Sequence, residues 1–296
     1  MPPISQLKSS STKMLLIGDS GAGKTGALAS LAARGFKVRL VDIDKGSDIL
    51  RGYLTDPASP YVKENPQAAE NIDIIRLSDP MKAIGGQLYA ERAIAWRAFV
   101  DLLNEWKYKD EASGQTVSLG KPFSWGPDTV LVIDSLSMLA TIARHFHLSL
   151  NAALGKSRTQ NEGRRDIGAT QQLLKDLLET LFSDALKCHV IVISHVTMVT
   201  EAGGMPKVEE GEFASVPTGY PSAVGRALSP HIPRWFNSML IARVIGAGAS
   251  AKHKIFTRSQ NLGSSVIAGK TSSPLRVKPE YDLAWGLAEY IKDAQS

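Results

Sequence analysis

The residues best suited to chemistry lie near the start of the chain, where residues 14–25 read MLLIGDSGAGKT. The glycines and the Lys-Thr pair have the spacing Gly-x-x-x-x-Gly-Lys-Thr. In such a loop, backbone N–H groups surround a phosphate chain, the lysine reaches the outer phosphates and the threonine hydroxyl holds Mg²⁺. The spacing predicts a Walker A loop whose contacts come from Gly18, Asp19, Ser20, Gly21, Ala22, Gly23, Lys24, Thr25 and Gly26.

Such a loop needs a strand before it and a helix after it, and the sequence offers both. Residues 13–17 have the continuous apolar character of a buried parallel strand. Residues 25–33 are rich in Ala and Leu and end at Arg34-Gly35, which predicts a helix closed by a glycine. The alternative is an ordinary glycine-rich turn in a β-α unit, but this context favours the phosphate-binding loop.

Carboxylates mark the ends of two further predicted strands. Residues 36–41 lead into Asp42 and Asp44, and the β-forming run 129–133 leads into Asp134. Ligands of open α/β sheets bind at the carboxyl ends of the strands, so these side chains should face the same edge as the loop. Asp134 is therefore predicted to end a Walker B strand and to hold Mg²⁺ together with Thr25.

Hydrolysis of a phosphoanhydride also needs a group that orients the attacking water. In many ATPases a glutamate directly follows the Walker B aspartate, but here the next residue is Ser135. Asp44 is the nearest qualified carboxylate, and Asp42 is expected on the same face because strand side chains alternate.

The remaining pattern predicts an alternating α/β chain. Strands are expected at 72–77, 189–195, 238–244 and 254–258, the last two as antiparallel closing strands of the sheet. Helices are expected at 48–54, 87–106, 136–150, 169–185 and 281–293. The predicted organisation is a polar lead at 1–12, a core at 13–270 with insertions near 107–127, 151–168 and 200–229, and a C-terminal extension at 271–296. We expect 107–127 to be a loop or a hairpin, and 200–229 to be a long mobile loop.

The composition of the chain indicates which broad class of protein it belongs to. The 296 residues contain 43% hydrophobic residues, carry a formal charge of +5 and include one cysteine, Cys188. A single cysteine excludes an internal disulfide framework, and the polar lead is not a signal peptide, which predicts a cytoplasmic protein. No apolar run approaches the length of a membrane span, so no membrane partner is expected.

The motifs resemble those of the RecA-like core ATPases. In that family the Walker B motif reads Asp-Ser, as Asp134-Ser135 does, and a catalytic glutamate closes the second strand, where this chain has the shorter Asp44. The strand after the long leucine-rich helix ends there in a polar residue that senses the γ-phosphate, which corresponds to His195. The alternative for His195 is a solvent-facing residue that caps a strand. The resemblance implies a mostly parallel central sheet flanked by helices, antiparallel closing strands, and catalytic roles for Lys24, Asp44, Asp134 and His195.

The resemblance also implies partners. Two loops of the family contact single-stranded DNA, and they would correspond to 151–168 and 200–229, of which the first contains Lys156, Arg158, Arg164 and Arg165. Basic residues from a late strand complete the site of a neighbouring subunit, a role implied for Lys254 and Arg258 in a homo-oligomeric ring or filament. The ordinary alternatives are solvated surface charge for the loop and a charge-protected edge strand for Lys254 and Arg258.

The sequence therefore favours an ATP- and Mg²⁺-dependent ATPase that acts on single-stranded DNA in recombination, annealing or replication. The similarity extends to short RecA-like proteins encoded by bacteriophages, which implies a bacterial host cytoplasm and, as a partner, a single-strand binding protein. The alternative is a nucleotide-gated assembly or partner-binding protein with little hydrolysis and no direct DNA role. A GTPase would show Asn-Lys-x-Asp, which is absent, and a partition-type ATPase would have a lysine where Asp19 and Ser20 stand. A small-molecule kinase stays open, although the sequence shows no compact Arg-rich lid.

Overall fold

The computed structural model describes residues 11–84, 87–110, 113–153, 164–199, 217–224, 227–263 and 265–295. The strands are β1 (Lys13–Gly18), β2 (Lys37–Asp42), β3 (Ile72–Arg76), β4 (Met81–Ile84), β5 (Gln87–Ala90), β6 (Lys107–Lys109), β7 (Thr116–Ser118), β8 (Thr129–Asp134), β9 (His189–Ser194), β10 (Val196–Val199), β11 (Thr218–Pro221), β12 (Ser238–Ile245), β13 (Lys252–Phe256), β14 (Gln260–Asn261), β15 (Val266–Ile267) and β16 (Glu280–Asp282). The α-helices are α1 (Ala29–Ala33), α2 (Asp48–Thr55), α3 (Pro60–Glu64), α4 (Ala95–Asn104), α5 (Leu136–Ala153), α6 (Arg164–Leu181) and α7 (Leu283–Gln295).

An eight-stranded sheet forms the centre of the described structure, in the order β16-β13-β12-β1-β9-β8-β2-β3. The strands from β12 to β3 in this order pair in parallel. The β12–β13 and β13–β16 pairs are antiparallel. This arrangement confirms the predicted fold class, a mostly parallel α/β sheet with antiparallel closing strands.

Apolar side chains leave the central strands in both directions, so the sheet needs cover on both faces. Along β1, Leu15 and Ile17 join one apolar cluster, which includes residues of α4, α5 and α6. Met14 and Leu16 join the other, which includes residues of α1, α2 and α7. The alternation of side chains in β1 therefore places one layer of helices on each face and leaves the ends of the strands free for a site.

The closing strands differ from the prediction in two respects. The strand predicted at 238–244 is β12, which runs parallel to β1, so the antiparallel part begins only with β13. The helix predicted at 281–293 begins two residues late, because Glu280–Asp282 pairs with β13 as β16. Both errors concern strand pairing between distant segments, which local periodicity does not report.

The single helix predicted at 87–106 is wrong in its first part. Gln87–Ala90 is a strand that pairs with Met81–Ile84, and the helix α4 begins only at Ala95. The backbone N–H of Ala95 donates to the Asp79 carboxylate (2.8 Å), which satisfies a donor at the start of the helix. Trp106, which was counted on the helix face, lies beyond the helix and is buried.

The predicted insertions are only partly loops. Within 107–127, β6 and β7 form a hairpin, one of the two predicted alternatives. Of 151–168, both ends belong to helices, because α5 reaches Ala153 and α6 begins at Arg164; residues 154–163 lie outside the described ranges. Of 200–229, the part at Thr218–Pro221 is a strand of a second sheet, in the order β10-β11-β15-β14, so that part is not a loop. Residues 200–216 and 225–226 are not described.

Within the described ranges, none of the helices combines the length and the hydrophobicity that crossing a bilayer requires.

Candidate active site

The predicted phosphate-binding loop connects β1 to a short 3₁₀ turn, Gly26–Leu28, which continues into α1. The helix predicted at 25–33 is therefore present, with a tighter first turn. Gly23 has φ +86°, and a Cβ at this position would lie 2.4 Å from Leu283 Cδ2 of α7. The second invariant position of the motif thus needs glycine for its backbone conformation and for its contact with α7.

Lys24 lies inside the loop, with 7% of its surface exposed. Its Nζ donates to the carbonyl oxygens of Gly18 (2.8 Å) and Asp19 (2.7 Å). Burial lowers the pKa of Lys24, while the carboxylates of Asp134, Asp19 and Asp44 act in the opposite direction. The ammonium group is therefore held by neutral carbonyls, which phosphate oxygens would replace with stronger, charge-assisted contacts.

Thr25 and Asp134 are in direct contact, as the metal prediction requires. The Thr25 hydroxyl donates to Asp134 Oδ2 at 2.5 Å. Asp134 is 2% exposed, and burial raises its pKa to about 6, against the lowering effect of the Thr25 hydrogen bond. A hydroxyl and a carboxylate are hard oxygen ligands of the kind that bind Mg²⁺. No larger cluster of His, Cys, Asp or Glu suited to a metal occurs among the described residues, so water and phosphate oxygens would supply the other ligands.

Asp44 and His195 meet across the mouth of the same cleft. His195 Nε2 lies 3.3 Å from Asp44 Oδ2, and about a third of each side chain is exposed. The cleft has a volume of about 450 Å³ and is lined by all five predicted catalytic and metal-binding residues, Lys24, Thr25, Asp44, Asp134 and His195. Four separate segments of the chain thus converge on one space.

Asp42 does not share this cleft, contrary to the prediction that it faces the same side as Asp44. The strand β2 ends at Asp42, and the chain bends so that Lys45 adopts φ +61°. Strand alternation therefore no longer applies between Asp42 and Asp44. The Asp42 side chain is fully buried and accepts hydrogen bonds from the backbone N–H groups of Gly46 (3.3 Å) and Ser47 (3.2 Å).

The two residues proposed to act on a neighbouring subunit do not form one face. Lys254 lies in β13, but Arg258 follows the end of that strand at Phe256, so period-two spacing does not link them. Lys254 Nζ contacts Asp282 Oδ1 (2.8 Å) and Glu280 Oε1 (3.4 Å) of the adjacent strand β16. Its charge is thus partly balanced within its own chain, and a role in trans for either residue stays a prediction.

The predicted DNA-binding cluster is mostly outside the described structure. Lys156 and Arg158 fall in 154–163, beyond the described ranges. Arg164 and Arg165 are the first two residues of α6, and only their backbone is described. Their contact with DNA stays a prediction.

A second cavity, which the sequence analysis did not anticipate, adjoins the first. It has a volume of about 700 Å³ and shares Gly21, Gly23 and Gly26 with the cleft. Tyr53, Tyr61 and His253 are among the residues that line it. The rings of Tyr53 and Tyr61 lie 5.7 Å apart, and His253 Nδ1 lies 3.3 Å from the Ala22 carbonyl oxygen of the loop. The only signal in the sequence is that Tyr53 lies in the helix predicted at 48–54 and Tyr61 follows it, which does not mark either residue as part of a cavity.

Comparisons with known proteins concern the fold. No protein-family model matches the chain, and no curated protein matches it. The RadB recombinase structure has 13% identity and a TM-score of 0.39, over 83% of this chain and 80% of that one. A KaiC-like protein from the hyperthermophilic archaeon Pyrococcus horikoshii OT3 has 12% identity and a TM-score of 0.39, over 90% and 99% of the two chains. The flagellar accessory protein FlaH from Methanocaldococcus jannaschii has 10% identity and a TM-score of 0.36, over 84% and 78%. The chemistry of the cleft therefore has to be derived from its own residues.

Proposed function

We propose that the chain binds ATP with Mg²⁺ and hydrolyses it, and that it acts on single-stranded DNA. The observation that best supports this function is the convergence of Lys24, Thr25, Asp44, Asp134 and His195 around one cleft of about 450 Å³. A structural glycine-rich turn would not require a buried lysine, a buried carboxylate and two further titratable side chains at the same strand ends.

Each residue has a role that its position supports. Lys24 would exchange its carbonyl partners for β- and γ-phosphate oxygens, and Thr25 and Asp134 would hold Mg²⁺. When bound, Mg²⁺ supplies positive charge where the transferred phosphoryl group develops negative charge. Asp44, at the mouth of the cleft, would orient the attacking water, and His195, in contact with Asp44, would respond to the γ-phosphate.

The second cavity would accommodate the nucleoside. It continues from the phosphate loop past Gly26, and the exposed ring of Tyr53 offers an apolar face to a base. Aromatic faces stack on nucleobases with little dependence on the identity of the base. The two cavities together provide separate spaces for the phosphate chain and for the base and sugar.

The DNA part of the proposal depends on charge and on the resemblance to RecA-like proteins, including those of phages that promote recombination, annealing or replication. The Lys156, Arg158, Arg164 and Arg165 cluster falls between α5, which follows the Walker B strand, and the start of α6. Clustered cations neutralise a nucleic-acid backbone, and such binding weakens with salt. The proposed assembly is a homo-oligomeric ring or filament.

The test is ATP turnover by the wild-type chain with and without single-stranded DNA, with molecular size measured by light scattering in each nucleotide state. We expect turnover that DNA stimulates, and we expect Lys24→Ala to abolish it while the protein stays folded by circular dichroism. Unchanged turnover in Lys24→Ala would reject the assignment of the cleft, and turnover indifferent to DNA would reject the DNA role alone.

A nucleotide-gated switch is a second candidate, which the shortness of Asp44 and its engagement by His195 favour. A carboxylate one methylene shorter than glutamate, already in contact with a histidine 3.3 Å away, is suited to slow hydrolysis. Slow turnover that does not respond to DNA, together with ATP-dependent oligomerisation, would support this candidate over the first.

A further inference from the structure

The turn that carries Asp44, residues 43–47, is fixed at both of its ends. At its start, the backbone N–H groups of Ile43 (2.6 Å) and Asp44 (3.1 Å) both donate to the carbonyl oxygen of Asp134. At its end, the N–H groups of Gly46 (3.3 Å) and Ser47 (3.2 Å) donate to the carboxylate of Asp42. The position of Asp44 over the cleft is therefore set by main-chain hydrogen bonds to Asp134 at one end of the turn and by the Asp42 carboxylate at the other.

Asp42 is the inner anchor of this turn. Its side chain is fully buried, and a buried carboxylate is stable only when hydrogen bonds and an opposite charge compensate it. Oδ1 accepts from Gly46, and Oδ2 accepts from Ser47 and lies 3.5 Å from Nε of Arg76. Both oxygens of the carboxylate thus contact the turn, and the Asp42 side chain is not among those that line the cleft.

Arg76 is the outer anchor. It lies on β3 directly across from Asp42 on β2, and its guanidinium contacts Ser47 Oγ through Nε (3.3 Å) and Nη2 (3.1 Å). The same Nη2 contacts the carboxylate of Asp48, the first residue of α2. One planar group therefore connects the buried carboxylate, the end of the turn and the start of the helix that follows it.

The 43–47 turn also lies close to Thr25, one of the two proposed Mg²⁺ ligands. A Cβ at Gly46 would lie 3.6 Å from Thr25 Oγ1, so the turn passes close to the hydroxyl that contacts Asp134. A shift of the turn would move Asp44 relative to the Thr25–Asp134 pair. Misplacement of a reacting group by about 1 Å can lower a rate by about a hundredfold.

We propose that Asp42 and Arg76 are positioning residues for hydrolysis, which act by holding the 43–47 turn so that Asp44 faces the attacking water. This role rests on the proposed function, since it presupposes hydrolysis in the cleft. It assigns a purpose to a buried carboxylate that sequence analysis had placed in the cleft, and to Arg76, which sequence analysis had not singled out.

The same two strands contain a matched control. Arg39 on β2 and Asp73 on β3 are also directly opposed and form an Arg–Asp pair. This pair lies three residues earlier on each strand, and it is therefore farther from the 43–47 turn, which follows Asp42. Arg39→Ala therefore removes a cross-strand ion pair of the same kind without removing a contact to residues 43–47.

The experiment compares Arg76→Ala, Arg76→Lys and Arg39→Ala with the wild-type chain in steady-state ATP turnover, equilibrium binding of a fluorescent ATP analogue and thermal unfolding. We expect Arg76→Ala to lower kcat by about tenfold to a hundredfold while the Kd of the analogue changes by less than about twofold. Arg76→Lys should recover part of the rate, because lysine keeps the charge but not the planar fork. Arg39→Ala should keep the wild-type kcat even if it lowers the Tm as much as Arg76→Ala does.

Hydrogen exchange adds a readout that does not depend on turnover. The amides of 43–47 should exchange faster in Arg76→Ala than in the wild type and in Arg39→Ala, because two of them lose an ordered acceptor. Unchanged exchange, a wild-type kcat in Arg76→Ala, or an equal loss of kcat in Arg39→Ala would overturn the positioning role. Absence of turnover in the wild type would instead reject the proposed function, and the positioning role with it.

Discussion

At the scale of single residues, the cleft is defined by two buried groups of opposite charge, the Lys24 ammonium and the Asp134 carboxylate. Both groups are almost fully buried. Burial lowers the pKa of Lys24 and raises the pKa of Asp134, so it favours the neutral form of each. Keeping such groups charged disfavours the ligand-free fold, whereas phosphate and Mg²⁺ would compensate both. The ligand-free fold is therefore destabilised by these buried charges, and a bound nucleotide with Mg²⁺ would remove this destabilisation.

This cost predicts the effect of Asp134→Asn. The folded pKa of Asp134, about 6, exceeds the ordinary value of 3.8, so its stabilising contribution is present below pH 3.8 and is lost as the pH rises through 6. Without nucleotide or Mg²⁺ at pH 8, we expect Asp134→Asn to be more stable than the wild type by up to about 3 kcal/mol. Thermal and urea unfolding at pH 8 and pH 5 measure the difference, which should shrink at the lower pH.

The control for this prediction is Asp128→Asn, because Asp128 is a surface carboxylate paired with Lys37. Its removal should not raise the stability at pH 8. Equal stability of Asp134→Asn and the wild type at pH 8 would show that the empty site tolerates the charge.

Residue types and spacing were sufficient to predict four side chains of the cleft, Lys24, Thr25, Asp44 and Asp134, because each follows a strongly apolar strand or belongs to a motif with fixed spacing. His195 was predicted only from the resemblance to the RecA-like ATPases. Residue types and spacing were not sufficient for Asp42 and Arg76. The role of Asp42 depends on the chain leaving the strand immediately after it, and that of Arg76 depends on the register of β3 beside β2. Neither the bend nor the register is encoded in local composition, so sequence reasoning placed Asp42 on the wrong side.

At the scale of elements, the last residue of α7 is attached at the opposite ends of the strands from the cleft. The buried His189 at the start of β9 accepts a hydrogen bond at Nδ1 from the Thr12 N–H (2.9 Å), so its Nε2 carries the proton in the neutral ring. That Nε2 lies 3.0 Å from the amide group of Gln295, the last residue of α7, and with the proton on Nε2 it is the amide oxygen of Gln295 that would face the ring and accept. Burial lowers the pKa of His189 to about 4, with a further lowering by Lys13.

This histidine predicts acid sensitivity in a defined window. Its folded pKa is depressed below the ordinary 6.5, so the unfolded chain binds the proton more readily, and stability falls as the pH drops from 6.5 to 4. The contribution of His189 should reach about 3 kcal/mol, read as the difference between the wild type and His189→Gln in urea unfolding at a series of pH values, because the raised pKa of Asp134 acts in the opposite direction over the same range.

His189→Gln should remove this slope, whereas the same change at the exposed His231 should leave it in place. A wild-type slope in His189→Gln would assign the acid sensitivity to other groups.

At the same scale, prediction from sequence succeeded where an element is determined by its own residues and failed where it is determined by a partner. The buried strands β1, β8 and β9 and the leucine-rich α6 follow from their periodicity. The strand β5 was read as helix because residues 87–90 lack a distinctive period and gain their conformation from pairing with β4. The strand β16 was read as helix because only its pairing with β13 makes it extended.

At the scale of the whole molecule, the two apolar layers of the sheet are completed by distant parts of the chain. The layer that supports the phosphate-binding loop includes α1 near the start and α7 near the end. Leu283 of α7 also meets Gly23 directly. The stability of the fold and the shape of the loop are therefore coupled through the C-terminal helix.

This coupling predicts the effect of Leu287→Ala. Leu287 is fully buried in the α7 layer, so its truncation leaves a cavity and should lower the free energy of unfolding by about 2–5 kcal/mol. Because α7 also positions Leu283 against the loop, we expect the Kd for an ATP analogue to rise as well, measured at a temperature where the variant is fully folded.

Lys292→Ala, at an exposed position of the same helix, should change neither quantity. A loss of stability in Leu287→Ala without any loss of nucleotide affinity would show that the helix supports the core and not the loop.

The contact between Leu283 and Gly23 also bears on how the protein is made. The predicted phosphate-binding motif leaves the ribosome well before Leu283, the residue whose side chain packs against its last glycine. A nascent chain that exposes the motif would consequently lack the finished loop, and nucleotide capture would begin only once α7 has emerged and docked. The order of these residues in the chain would therefore delay nucleotide binding until α7 has been synthesised.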